Sequence, residues 1–162
     1  MFGLTRRDLF ASGTGLLLVG TLLEPSPAAA SAPFPRNLSD AQWRKRLNPA
    51  AYAVLRRAGT ERPGSSPLNA EKRRGSYGCA GCGNPLFRSE AKFESGTGWP
   101  SFYRAVAGAV RTRMDRSLAL VSRTEVVCSR CGGHLGHVFE DGPKPTGLRY
   151  CMNGVALSFR PA

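Results

Sequence analysis

No stretch of this chain is apolar for long enough to span a bilayer comfortably, which takes about 20 residues. The nearest approach lies at the amino terminus, where Leu16 to Val19 and Leu22-Leu23 are interrupted by glycines. Acid is scarce as well: 11 Asp and Glu stand against 23 Lys and Arg, a formal net charge of +12. Such an imbalance would suit a nucleic-acid binder. The basic residues are scattered, however, and no aromatic-basic RNA-binding pattern accompanies them, so solvated surface charge is the better account. No internal repeat appears beyond two short cysteine pairs. Cysteine is sparse too: of five thiols, four fall into pairs and one stands alone with no spare to assist it.

What is present begins with an export pattern. Thr5-Arg6-Arg7-Asp8-Leu9-Phe10 carries adjacent arginines of the twin-arginine type. Pro25-Ser26-Pro27 and Ala28-Ala29-Ala30-Ser31-Ala32 follow the apolar run, with small-residue spacing for cleavage after Ala30 or Ala32. Residues 1–32 are therefore expected to be a signal peptide, with an uncleaved anchor as the alternative, and residues 33–162 the single working domain. The expected destination is the bacterial periplasm, with no stable membrane span after cleavage and no nucleic-acid partner.

Cys79-Ala80-Gly81-Cys82 and Cys128-Ser129-Arg130-Cys131 are two C-x-x-C knuckles. Four thiolates in that spacing make a tetrahedral cage for one structural zinc ion. Two disulfides are the other reading, natural in an exported chain. Residues 83–127 separate the knuckles, well beyond the usual gap of about 15–20 residues, so a functional insert is expected between them.

Cys151 is the thiol left over, and a single thiol near histidines is what a nucleophilic enzyme needs. If Arg149 to Phe159 is one strand, then Arg149, Cys151 and Asn153 share a face. Arg149 would then favour the thiolate and Asn153 could hold a polar substrate oxygen. His134 and His137, three apart, would face opposite sides of a regular strand, so at most one reaches the thiol. His137, on the same strand face as Phe139, is the choice for proton donor; His134 could equally be structural, and a zinc-ligand role for either is unneeded where four thiolates already complete the tetrahedron.

Ser39 or Asp40 can cap a short helix through Trp43 and Leu47. Asn48-Pro49 opens a second helix that Gly59 can end. Residues 60–75 read as an irregular connection. Strands are expected over Val106 to Met114, Leu118 to Cys128 and Arg149 to Phe159. The predicted architecture is short amino-terminal helices followed by an antiparallel β domain clamped by zinc.

Four ordered segments carry a family resemblance: Gly78-Cys79-Ala80-Gly81-Cys82-Gly83, Ser95-Gly96-Thr97-Gly98-Trp99-Pro100-Ser101-Phe102, Gly133-His134-Leu135-Gly136-His137-Val138-Phe139 and Gly147-Leu148-Arg149-Tyr150-Cys151-Met152-Asn153. With Gly59-Thr60-Glu61-Arg62, they resemble the methionine-R-sulfoxide reductases from about Ser39 to Phe159. The resemblance implies a mainly β fold of two antiparallel sheets, tent-like, with zinc on Cys79, Cys82, Cys128 and Cys131. It implies catalytic roles for Cys151, His137 and Asn153, a methyl-receiving indole at Trp99, and supporting pocket roles for His134, Arg149 and Phe139. Substrates would be oxidised proteins or peptides, reduced through a Cys151 sulfenic acid. The sequence departs from many relatives at Thr97, where they carry a resolving cysteine, and at Gly64, where they commonly place an aromatic. The first departure implies a one-cysteine cycle closed by an external thiol, small or thioredoxin-like. A zinc-ribbon binding module without catalysis is the competing reading; it has no use for Cys151, His137 and Asn153 together.

Overall fold

The computed structural model describes residues 33–118 and 121–162. The expected export signal, including Arg6, Arg7 and both cleavage positions, lies outside the described residues. Among the described residues, no helix is long and apolar enough to cross a membrane.

Helix α1 runs Asp40–Arg46, and its start follows from its residues. The Ser39 hydroxyl accepts from the Gln42 N–H while the Gln42 side chain reaches back to the Ser39 N–H, a reciprocal capping box. Helix α2, Pro49–Arg57, is capped by the Asn48 side chain, which accepts from the Ala51 N–H at 2.8 Å. Its end differs from expectation: the left-handed residue is Ala58, at φ 53°, one place before Gly59. The two helices bury Trp43, Ala51, Tyr52, Val54 and Leu55. Each large apolar side chain among these contributes about 1.5–3 kcal/mol by leaving water.

Among the described residues, nine strands form two antiparallel sheets. The smaller orders β2 (Pro85–Arg88), β1 (Gly75–Cys79) and β9 (Leu157–Pro161). The larger orders β3 (Lys92–Phe93), β4 (Ser101–Phe102), β8 (Arg149–Met152), β7 (His134–Phe139), β6 (Val121–Cys128) and β5 (Val110–Leu118). Aromatic rings from both sheets fill the core: Phe87 of β2 stacks on Phe102 of β4 with centroids 4.4 Å apart. Tyr77 of β1 meets Phe102 edge-on at 4.9 Å.

The expected single strand from Arg149 to Phe159 is in fact two. A 3-10 turn over Gly154–Ala156 interrupts it, and the halves join different sheets. Gly154 explains the break, because a Cβ there would lie 1.9 Å from the Ser66 hydroxyl oxygen. The chain has to pass so close to the Ser66 loop that it cannot continue as regular strand. The hairpin strands also begin later than expected, at Val110 and Val121 in place of Val106 and Leu118.

Candidate active site and metal centre

Cys151 lies on β8, between β4 and β7, with Ser101 and His137 as its cross-strand partners. Directly opposed antiparallel residues bring their Cβ atoms within about 4.5–5.5 Å, so the sheet itself delivers His137 to the thiol. Both line a pocket of about 120 Å³ with Trp99, Phe139, Asn153, Thr60, Arg123 and Gly136. Of the residues read from sequence, Cys151, His137, Asn153, Trp99 and Phe139 are brought together there. His134 and Arg149 are not among its walls.

The environment of the sulfur opposes the simple expectation for Arg149. Burial pushes the Cys151 thiol above its usual value near 9, while Thr97 and the Arg149 guanidinium pull the other way without prevailing. Thr97 Oγ1 stands 3.9 Å from Cys151 Sγ and belongs to a hydroxyl chain. It continues through Ser95 at 2.8 Å to Ser101, a further 2.7 Å on. Arg149 gives its Nε and one terminal N–H to the Asp141 carboxylate, at 2.8 and 2.7 Å, and lies over the Phe139 ring at 4.5 Å. Its charge is thus shared with Asp141 before it reaches the thiol.

Asn153 does more holding of protein than was expected. It lies beyond the end of β8, fully buried, with Oδ1 accepting from the Glu61 N–H at 2.9 Å. Its amide nitrogen donates to the Leu135 carbonyl at 3.1 Å, which leaves one N–H for any other partner. Glu61 completes a clip. Its carboxylate accepts from the Gly154 and Val155 N–H groups at 2.6 and 2.9 Å, and its carbonyl accepts from the Trp99 indole at 3.2 Å. Thr60 and Glu61 stand in a matched segment, yet no role could be read for them from sequence. Gly64 turns in the left-handed region at φ +73° and donates to the Gly98 carbonyl at 2.7 Å, and a side chain there would meet open space.

The two histidines do not face opposite sides. The β6–β7 register shifts between Val126 and Val127, a bulge that turns both rings together, with centroids 5.4 Å apart. Each ring meets a carboxylate, His134 one on the adjacent β6 and His137 one on β5 beyond it. His134 Nδ1 is 2.7 Å from Glu125, which also takes the Arg113 guanidinium. His137 Nε2 is 2.8 Å from Asp115 Oδ2, which also accepts from Arg123 at 2.9 Å. Burial lowers the His134 pKa despite Glu125, so the ring is neutral and donates through Nδ1. Its Nε2 is buried with no hydrogen-bond partner among the described residues. Burial works to raise the Glu125 carboxyl, but Arg113 and His134 together bring it below the usual value. Neither carboxylate was singled out in the sequence, since both belong to an ordinary polar alternation along a hairpin.

Cys79, Cys82, Cys128 and Cys131 are all buried, unbridged by disulfides, with sulfurs within 4.8 Å of one another. Gly83 and Gly132, each directly after the second cysteine of a pair, have φ of +71° and +67°. Their N–H groups each return to the first cysteine's carbonyl at 2.8 Å. Both pairs therefore make the same tight turn, one a strained conformation for any residue but glycine. The Cys131 thiol beside Cys128 pulls it far below the usual thiol range, and Cys128 in turn pushes Cys79 far above it. Thiols so crowded cannot hold their protons independently, and the donor set and closeness fit one zinc ion. The helices seal this end: Arg46 donates to the Gly81 carbonyl at 2.6 Å and Arg56 to the Cys131 carbonyl at 3.1 Å.

A lone half-buried thiol, paired across a sheet with an imidazole and walled by aromatic rings, marks a cysteine-dependent enzyme. Comparison with known proteins narrows the class. The SelR domain matches residues 47–161. The peptide methionine sulfoxide reductase MsrB of Thiobacillus denitrificans is 58% identical over 124 residues, covering 76% of this chain and 93% of its own. The MsrB of Methanosarcina barkeri is 58% identical over 75% of this chain and 86% of its own. That of Bradyrhizobium diazoefficiens is 56% identical over 76% and 88% respectively. The chain belongs to the MsrB family of peptide methionine sulfoxide reductases.

Proposed function

We propose that the chain reduces peptide-bound methionine (R)-sulfoxide to methionine through a sulfenic acid on Cys151. The observation that carries this reading is the cross-strand pairing of Cys151 with His137 in a small pocket walled by Trp99 and Phe139. The pocket has room for a sulfoxide head group and its methyl, and the Trp99 ring suits contact with sulfur and methyl, worth about 0.3–1.5 kcal/mol.

The Cys151 thiolate attacks the sulfoxide sulfur while His137 gives the oxygen a proton. The S–O bond breaks, the hydroxyl passes to the Cys151 sulfur, and methionine leaves. In sum, thiol plus sulfoxide becomes sulfenic acid plus thioether, two electrons moving from cysteine sulfur to substrate sulfur. Because burial favours the protonated form of the resting thiol, substrate docking against His137 has to favour the thiolate for the step to be fast. The side chain that stands beside the sulfur is Thr97, a hydroxyl. An external thiol therefore closes the cycle. One thiol displaces water to give a mixed disulfide, and a second releases Cys151 as thiol with a small or protein disulfide. Zinc, held by Cys79, Cys82, Cys128 and Cys131, would supply cross-linking of the two knuckles. The twin-arginine pattern supports an exported enzyme that repairs oxidised proteins of the periplasm.

The test supplies a small dithiol and separated R and S diastereomers of a methionine sulfoxide peptide to the zinc-loaded protein and to Cys151→Ser. Consumption of R alone, abolished in the variant, is expected. Turnover of S, or activity surviving in Cys151→Ser, overturns the reading.

A further inference from the structure

We propose that Asp115 is a positioning residue for His137, assigning the ring's two nitrogens to different tasks. The inference rests on the reductase reading above and extends it to an atom. Asp115, on β5, pairs across the hairpin with Arg123 on β6, and His137 lies on the far side of β6 in β7. One carboxylate oxygen, Oδ2, lies 2.8 Å from His137 Nε2 and 2.9 Å from an Arg123 terminal nitrogen. The three side chains are enclosed, with exposures of 12% for His137, 15% for Asp115 and 29% for Arg123.

An ionised carboxylate accepts hydrogen bonds and cannot donate. Arg123 beside it, always charged, keeps Asp115 in that form. The proton of a neutral His137 must then reside on Nε2, facing Asp115. Nδ1 has no hydrogen-bond partner among the described residues, and His137 lines the pocket. Nδ1 is thereby the nitrogen left for the substrate: a lone pair in the neutral ring, a donor to the sulfoxide oxygen once protonated. Without Asp115 the ring could adopt either tautomer and rotate about its χ2 bond, which is broad for histidine. A share of the rings would then present the wrong nitrogen or the wrong angle.

Arg113, Glu125 and His134 repeat the same arginine–carboxylate–imidazole order on the same three strands. That copy ends on a buried Nε2 and lines no wall of the Cys151 pocket. The arrangement alone is therefore structural, and it becomes a proton-placing device only where its ring opens on the thiol.

Asp115→Asn and Asp115→Glu decide the matter, with ¹⁵N-histidine NMR of the zinc-loaded proteins beside steady-state kinetics on the R-sulfoxide peptide. The wild type is expected to show neutral His137 protonated on Nε2. Asp115→Asn should lose that preference, and kcat should fall roughly tenfold or more, part of the 10²–10⁴ that proton transfer contributes, with KM little changed. Asp115→Glu, which restores the carboxylate, should recover the tautomer and part of kcat. A neutral wild-type ring protonated on Nδ1 overturns the proposal, as does a folded Asp115→Asn with unaltered tautomer and kcat. A wild type inactive on the sulfoxide defeats the reductase reading instead, while the tautomer still reports on Asp115.

Discussion

A thiol that must become a nucleophile while half-buried carries a conflict at the scale of one residue. Burial disfavours the Cys151 thiolate, and Thr97 and Arg149 only partly offset it. The free enzyme should therefore hold Cys151 mainly as thiol at neutral pH. Its alkylation by iodoacetamide should reach half its maximal rate at a higher pH than that of an ordinary thiol. Arg149→Met should push that rise to still higher pH. A rate that plateaus near pH 7 would show that the thiolate is already favoured at rest. The same shift has a sign for stability. The folded thiol keeps its proton more tightly than the unfolded one, so its contribution is complete below the ordinary value and is lost as pH climbs toward the raised one. Residue identity was legible in sequence wherever chemistry is rare: one unpaired thiol, two histidines, one matched tryptophan. Asp115, Glu61 and Arg123 were not, because common charged residues acquire meaning only from the strand opposite them.

At the scale of elements, the two knuckles are the parts whose failure should be most visible. Each makes one turn with a left-handed glycine, and the helices reach over them through Trp43, Leu55, Arg46 and Arg56. A ring carbon of Trp43 and a methyl of Leu55 lie 3.4 and 3.5 Å from where a Gly81 Cβ would stand, so the apolar face of both helices rests on the first knuckle. Structural zinc contributes roughly 10–16 kcal/mol of apparent binding energy in small zinc domains. Stripping the metal, or substituting Cys82→Ser, should release α1 and α2 from the knuckles and lower the melting temperature steeply in a calorimetric scan. A metal-free protein with an unchanged scan would contradict the structural role. The helix starts were readable because capping is local: Ser39 or Asp40 before one helix, and Asn48 with Pro49 before the other, mark where each begins. The bulge between His134 and His137 was not, since it depends on register against β6. The break after Met152 was equally hidden, being imposed by the Ser66 loop pressing on Gly154.

Over the whole domain, the long segment between the knuckles shows its purpose. It supplies strands β2 to β6, and with them Trp99, Thr97, Asp115 and Arg123, to a thiol that follows the second knuckle by some twenty residues of chain. One cysteine pair follows from the end of β1 in the smaller sheet and the other from the end of β6 in the larger, while the larger sheet also aligns β4, β8 and β7 so that Cys151 faces His137. Cysteine counting alone set four thiols apart from one, and in the fold four converge in a buried cluster while Cys151 stands apart on β8. The most direct test is a single turnover. Zinc-loaded protein without any thiol reductant is mixed with excess R-sulfoxide peptide, then the cysteines are probed by dimedone labelling and mass spectrometry. The account predicts one methionine formed per protein molecule and dimedone on Cys151, with the four cluster cysteines unmodified. Absence of that stoichiometric burst, or an oxidised product on Cys79, Cys82, Cys128 or Cys131 in its place, would contradict it.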